Sequence, residues 1–460
     1  MGKNQPNILF IMGDQFRTAS LSGMGDGIRT PNIDRIRKNG MFFREAACTA
    51  PLCTPSRASL ATGKYPHNCG VTVHDANLPL DQKTYYQMLV KAGYRVAVAG
   101  KTDLHKKTRF IGSKGDLPVI HHIGFTDPHE MEGKINCSRL LWDENGGLKA
   151  LGPYQQHLLD KNPELIKKLN ETYMNYLGED TPPYHSWETF LEKEDFLDSV
   201  IGEESCRFLR EVDMDSPWHL FASFSGPHNP WDPPACEYEK VKDSQFSLPP
   251  HDNLEGKPEW VKKRAAQQSA GLTDALLMDA KRHYAASVAV IDEYVGRMLD
   301  ILEERGLADN TVVVFSADHG ELMGDHGLFE KRAMYEGALR IPMLVHLPGM
   351  TEPLESRELV SLMDLAPTFL ELGQASYDPG DMDAKSILPI LKGEDVKIRK
   401  VQQSELIHTM MLYDGKYKWI RSFNDLDELY DLERDPHELC NCISHHPEVI
   451  RELRKYTFQQ

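Results

Sequence analysis

Four absences bound what this 460-residue chain can be. No run of apolar residues approaches the ~20 needed to span a bilayer, so no membrane-spanning helix is expected. Eight cysteines are too sparse for a disulfide scaffold, and no pair of CxxC units offers a structural zinc site. Cys440 and Cys442 stand one residue apart, a spacing that hints at metal, but reduced thiols are the general expectation. Positive charge is in deficit: Lys and Arg number 52 against 69 Asp and Glu, a net charge of -17. That balance argues against nucleic acid or another polyanion as partner, but allows a small anion held by a few local cations. There is no internal repeat and no low-complexity tract. Near the amino end, the apolar run Ile8 to Met12 is too short for a signal-peptide core and has no small-residue cleavage site. The expectation is a cytoplasmic protein as the sequence stands, or a periplasmic or secreted one if an export signal has been removed. What is present, 40% apolar and 26% charged residues, is the composition of a large globular protein.

Apolar runs at Asn7 to Met12, Arg95 to Ala99, Thr311 to Phe315 and Ile341 to His346 predict buried strands. Helical spacing or punctuation predicts helices at Pro31 to Asn39, Ser56 to Thr62, Tyr85 to Ala92, Asp279 to Arg305 and Leu359 to Leu372. The alternation implies an α/β fold: a large, mixed, mostly parallel sheet between helices. In such sheets chemistry gathers at the C-terminal ends of strands. Asp14, Lys101 and the Asp318-His319 pair all follow predicted strands. The segments 127–194 and 248–269 are weakly periodic, and the first is expected to be an insertion near the substrate side. The predicted division is a catalytic domain over 1–373 and a small α+β subdomain over 374–460.

The most informative stretch is Cys53-Thr54-Pro55-Ser56-Arg57-Ala58-Ser59-Leu60-Ala61-Thr62-Gly63. It resembles the modification motif of the formylglycine-dependent sulfatases of the alkaline phosphatase superfamily, C-x-P-S-R followed by x-x-L-x-T-G, with every specified position present in order. The resemblance implies that a maturation enzyme, a partner of this chain, oxidises Cys53 to formylglycine (3-oxoalanine). The chemical reason is that an aldehyde hydrate carries two hydroxyls on one carbon: one attacks sulfur, and loss of the proton from the other lets sulfate leave, an exit no thiol offers. Arg57, one short turn on, is placed to hold that group.

The same resemblance implies one divalent cation, held by Asp14, Gln15, the modified Cys53, Asp318 and His319. Gln15 departs from the family, where a second Asp is common, and its amide oxygen still suits a hard cation. Calcium is the expected ion, with His319 leaving manganese or zinc as alternatives. Lys101, His228 in Gly226-Pro227-His228-Asn229-Pro230, and Lys331 resemble the sulfate-binding positions, with His228 and Lys331 placed to protonate the leaving oxygen. A second departure follows Gly100-Lys101: Asp103 occupies a position where the family commonly has His, and His105 lies two residues further on. Asp103 is expected to face the site as a base or a grip on substrate, with His105 as a substitute imidazole. Taken singly, any of these residues is more often a cap, a turn or a solvated charge; their order along the chain raises them.

The implied activity is sulfuric ester hydrolysis, on a saccharide or a small organic sulfate. A phosphonate monoester or phosphodiester hydrolase of the same superfamily and an unmodified, inactive binding protein are the alternatives. Trp142, Tyr154, Tyr173, Tyr176, Tyr184, Trp187 and Trp231 suit sugar rings, and are equally explained as local core.

Overall fold

The computed structural model describes residues 5–106 and 110–457. Eight strands form the main sheet: β1 (Asn7–Gly13), β2 (Met41–Phe43), β3 (Arg95–Gly100), β4 (Asp127–Glu130), β5 (Trp218–Ser223), β6 (Thr311–Ala317), β7 (Met343–His346) and β8 (Leu354–Ser356). Their spatial order is β8-β2-β7-β6-β1-β5-β3-β4. β7 runs antiparallel to both of its neighbours, β6 and β2, and every other pairing is parallel. The mixed, mostly parallel α/β sheet is therefore present. β1, β5 and β6 are buried along their whole length, which is why they read as unbroken apolar runs.

Helices cover both faces, and side-chain parity shows which. Among them are α1 (Cys53–Thr62), α2 (Tyr85–Lys91), α3 (Pro163–Tyr176), α4 (Leu197–Glu211), α5 (Glu259–Gln268), α6 (Asp274–Glu304) and α7 (Leu365–Leu372). Phe10 of β1 stacks on Phe221 of β5 at 5.0 Å and meets Phe369 of α7 at 5.5 Å. Trp218, of opposite parity on β5, packs edge-on against Phe208 of α4 at 6.0 Å. α4 lies so close to α6 that a side chain at Gly202 would run into the ring of Tyr294. Beyond the main sheet, β9 (Gln402–Leu406), β10 (Thr409–Tyr413), β11 (Tyr417–Ser422) and β12 (Glu428–Asp431) form an antiparallel meander. It has a small core of its own, with Met410, Leu412, Trp419, Leu429 and Leu453. Buried Lys418 ties it to the main body through Glu336 at 2.9 Å, and also holds Glu438 of the C-terminal part at 2.6 Å.

Two stretches differ from their sequence patterns. The helix expected from Leu359 begins only at Leu365. Val360–Ser361 instead pairs with Ala46–Ala47, and the Asp364 carboxylate locks the turn by accepting from Ser361 N at 2.6 Å while Arg399 holds it at 2.6 Å. In the weakly periodic 127–194 segment, the first residues are edge strand β4, and α3 follows. α3 starts where the Asn162 side chain accepts from Glu164 N at 3.0 Å, with Pro163 in the first helical position. No helix of the described residues is long and apolar enough to cross a membrane.

Candidate active site

Four neighbouring parallel strands, β6, β1, β5 and β3, end side by side, and each delivers a polar residue just past its tip: Asp318-His319, Asp14-Gln15, the loop to His228, and Lys101. The strands can close up because Gly100 has no side chain; a Cβ there would collide with the Ser223 carbonyl. α1 points its first residue, Cys53, at these tips. All ten residues of α1 are buried, and Ser56 Oγ donates to the Asp318 carbonyl at 2.6 Å.

Cys53 Sγ sits 3.1 Å from His319 Nε2 and 3.7 Å from Asp14 Oδ1. Arg57 bridges the two aspartates: its Nε donates to Asp318 Oδ2 at 2.8 Å and one terminal nitrogen to Asp14 Oδ2 at 3.1 Å. Its other terminal nitrogen donates to the Lys101 carbonyl at 2.5 Å and Ser223 Oγ at 2.9 Å. Lys101 also donates to Asp14 Oδ2. Each aspartate thus gives its Oδ2 to cations of the chain and turns Oδ1 toward His319 Nε2, at 3.9 Å for Asp14 and 3.7 Å for Asp318.

This donor set fits a divalent cation. Ligand atoms of Asp14, Cys53, Asp318 and His319 lie within 4.8 Å of one another, all buried. His319 Nδ1 lies 2.9 Å from the Gly320 carbonyl, which can only accept, so Nδ1 carries a proton and Nε2 is the nitrogen that faces the cluster and that a cation would take. Burial pushes the His319 pKa down, but Asp318 and Cys53 outweigh it and raise it above its ordinary value. Gln15 is turned differently from expectation. Its amide oxygen accepts from Lys331 Nζ at 2.5 Å, while its nitrogen donates to Glu321 and, at 3.2 Å, to Asn229 Oδ1.

Charge governs the thiol. Burial and the Asp14 carboxylate push the Cys53 pKa up, but Lys101, Lys331 and His319 outweigh them and hold it well below the usual thiol range. On the open side, His228 Nδ1 meets the Asn229 carbonyl at 2.5 Å, so Nδ1 carries the proton and Nε2 accepts from Lys331 Nζ at 2.5 Å. Burial, then Lys331, pushes the His228 pKa down to about 3. The imidazole is therefore neutral.

Asp103 lies 3.2 Å from Lys101 Nζ and 2.9 Å from Lys106 Nζ. His105 instead forms a backbone bridge with Asn77. The imidazole grouped with Cys53 and Asp103 is that of His74, from another loop. His74, Lys106, Glu321 and Asn229 were not singled out from the sequence. Asn229 beside His228 and Glu321 beside His319 were reachable by adjacency; nothing in its own segment marks His74.

Two further residues act on the site from outside. Arg264 of α5 grips the loop that carries Lys331, donating to the carbonyls of Phe329 at 2.8 Å, Lys331 at 2.6 Å and Arg332 at 3.3 Å. Glu330 and Arg332, on either side of Lys331, have φ of 65° and 68°, a conformation that needs such support. Arg264→Ala is expected to lower kcat at least ~10-fold by releasing Lys331, with Arg264→Lys recovering part of it; steady-state kinetics beside thermal melts would check this. Glu130, at the end of β4, accepts from Thr102 Oγ1 behind Lys101. Burial, then Glu132, raises its pKa from 4.5 to about 8. A carboxyl raised in the fold stays protonated while the unfolded chain ionises, so stability falls as pH rises from 4.5 to about 8. Glu130→Gln is expected to melt like the wild type at pH 5 and higher than it at pH 9, by roughly a few kcal/mol in stability.

A sheet whose strand tips gather carboxylates, fixed cations and a low-pKa cysteine at one enclosed point defines a class: α/β enzymes that act on esters of tetrahedral oxyanions. The Sulfatase family model matches residues 6–375, and the model for the C-terminal part of N-sulphoglucosamine sulphohydrolase matches residues 324–459. The chain belongs to the sulfatase family. It is 27% identical over 480 aligned residues to an N-acetylglucosamine-6-O-sulfatase of Bacteroides thetaiotaomicron, covering 95% of this chain and 82% of that protein. An arylsulfatase of Clostridium perfringens is 28% identical over 479 residues, covering 99% and 94%. A choline-sulfatase of Rhizobium meliloti is 25% identical over 458 residues, covering 96% and 83%. Among solved structures, a protein in complex with its substrate D-glucosamine-2-N,6-O-disulfate shares the fold at a TM-score of 0.76 and 22% identity, covering 98% and 96%. A phosphonate monoester hydrolase from Silicibacter pomeroyi shares it at 0.77 and 22%, covering 98% and 93%.

Proposed function

We propose that this chain is a sulfuric ester hydrolase in which residues 1–373 form the catalytic domain, residues 374–460 a subdomain, and Cys53 is the site of formylglycine. The observation that carries the proposal is the burial of Cys53, inside an intact modification motif, against two aspartates, His319 and three fixed cations. Asp14, Asp318, His319 and the side chain at position 53 would hold a divalent cation, calcium by expectation; when bound, the ion supplies Lewis acidity to the sulfate oxygens. Formylglycine, as its hydrate, would supply one hydroxyl as nucleophile and a second whose proton loss lets sulfate leave, an exit that an S-sulfonated thiol lacks.

The chain's own residues account for the rest. Lys101 and Arg57 fix positive charge beside the nucleophile position, where the ester's negative charge grows as the S–O bond breaks. Lys331 Nζ lies 2.5 Å from Nε2 of neutral His228; this pair would pass one proton to the leaving oxygen, which departs as the alcohol, and would regain a proton from water. Asp103 keeps Lys101 and Lys106 oriented. Burial of Cys53, Lys101 and Asp103 excludes bulk water from the point of attack.

The alcohol half of the substrate is open between sugars and small organic alcohols, since the relatives carry both kinds of name. The test has two parts: the mass of the peptide spanning residue 53 from a host with the maturation enzyme, and parallel assays on sulfate, phosphate and phosphonate esters. Aldehyde mass with sulfate ester turnover is the expected result. Phosphonate turnover far above sulfate turnover, or an unmodified thiol with no turnover, would remove the proposal.

A further inference from the structure

The residues next to His228 and Lys331 in sequence, Asn229 and Glu330, meet each other. Asn229 Nδ2 donates to Glu330 Oε1 at 3.1 Å and to the hydroxyl oxygen of Tyr176 at 2.9 Å. Tyr176 is the last residue of α3. Its ring lies 5.4 Å from that of Trp187, which in turn lies 5.2 Å from the ring of His185. Trp187 is anchored to the loop that carries His228: its backbone N donates to the Trp231 carbonyl at 3.2 Å.

Two classes of aromatic separate in this region. Tyr154, Tyr173, Tyr184 and Trp231 are buried, and each spends its polar atom on the protein: Asp195 O, Asp232 Oδ2, Ala270 O and Pro227 O, at 2.7–3.1 Å. They are core. Tyr176 and Trp187 are half-buried and His185 is exposed. The Tyr176 hydroxyl accepts from Asn229, which leaves its own proton to donate, and it meets no acceptor among the described residues. Glu330 has one carboxylate oxygen on Asn229 and no Lys, Arg or His at ion-pair distance among the described residues. Its backbone is held at a φ of 65° by Glu330 N donating to Glu321 Oε1 at 2.6 Å and by its carbonyl accepting from Leu322 N at 2.9 Å. Glu330 is thus held in a strained conformation beside Lys331 with one carboxylate oxygen bonded to Asn229 and no cation on the other among the described residues, an arrangement that leaves an acceptor for a ligand.

Resting on the sulfatase reading above, we propose that Tyr176, Trp187, Glu330 and Asn229 form the subsite for the alcohol half of the ester, and that this alcohol is a pyranose sugar. The ring's C–H face would lie on Trp187 and Tyr176. Its hydroxyls would donate to the free oxygen of Glu330 and accept from the Tyr176 hydroxyl. An aryl group satisfies the rings and leaves both polar groups unpaired on burial. A quaternary ammonium suits the rings and the carboxylate but offers the Tyr176 proton no acceptor.

The experiment compares N-acetylglucosamine-6-sulfate and galactose-6-sulfate with choline sulfate and 4-nitrophenyl sulfate on the matured full chain, and then on Trp187→Ala, Tyr176→Phe and Glu330→Gln. The expected result is a kcat/KM for at least one sugar sulfate at least ten-fold above that for 4-nitrophenyl sulfate, and a ratio that falls ten-fold or more in Trp187→Ala and in Glu330→Gln. A ratio unmoved within about two-fold, or choline sulfate preferred to both sugars, overturns the subsite. A matured chain that turns over no ester at all speaks against the sulfatase reading instead. The subsite is then decided by saturation-transfer NMR with the unsulfated sugars on Cys53→Ala: binding that Trp187→Ala removes supports it, and no binding overturns it.

Discussion

Cys53→Ala abolishes ester hydrolysis, a fall of at least about 10⁴-fold in kcat, while the protein stays folded. The size of the effect follows from what the side chain does. In the proposed mechanism every other group at the site, including Arg57, Lys101 and Lys331, would stabilise charge or move a proton, and none would form the covalent bond that splits the reaction in two. Alanine takes away one buried sulfur atom from the first turn of α1 and leaves that helix anchored through Ser56 and Arg57. The change in stability is therefore expected to stay within ~1–2 kcal/mol. Activity of the matured protein and of the variant, measured beside their melting temperatures, checks both halves. Residual turnover within ten-fold of the wild type would show that position 53 carries no chemistry.

Arg57→Ala has the second large effect, and it falls on stability as much as on rate. The guanidinium, 2% exposed, is the shared partner of two fully buried carboxylates. Truncating one partner of a buried ion pair strands the other, and the expected loss is about 3–5 kcal/mol. The acid side of the stability curve moves too. Burial pushes the Asp14 pKa up, but the fixed cations Lys101, Arg57 and Lys331 together hold it well below 3.8. A carboxylate depressed in the fold contributes stability that is fully present above its unfolded pKa and is lost as pH falls through the folded one. With Arg57 gone the folded value rises, and acid unfolding is expected to begin at higher pH. Added calcium should recover more melting temperature in Arg57→Ala than in the wild type, because an ion then supplies charge that the arginine no longer does. Equal calcium shifts in the two proteins would argue that Asp14 and Asp318 do not hold an ion.

The legible parts of the molecule are those whose signal is local. The core strands were readable because full burial on both faces demands unbroken apolar runs, as in Asn7–Gly13 and Thr311–Ala317. Their ends were readable because polar residues must follow where the sheet stops, and Asp14, Lys101 and Asp318 stand there. α3 was missed since its face is amphipathic over only part of a polar segment, and its clearest mark, Asn162-Pro163-Glu164, is a cap and not a period. The start of α7 was misplaced because Val360 and Ser361 are apolar enough, or small enough, to continue the helical pattern, while a strand partner 314 residues away takes them instead.

By itself, then, the sequence determined that position 53 opens an intact modification motif just ahead of a helix expected from Ser56, which in the structure already begins at Cys53, and that acidic and basic residues follow successive parallel strands. Only the tertiary structure decided that His74 and not His105 stands with Asp103 beside Cys53, that Gln15 turns its amide oxygen to Lys331, and that Tyr176 and Trp187 are left open while Tyr173, Tyr184 and Trp231 are core. The physical reason is one of range. Burial and strand ends are imposed on neighbours in the chain, whereas a contact such as Lys331 to Gln15, 316 residues apart, exists only once β6 and β1 have paired and brought their loops to the same edge.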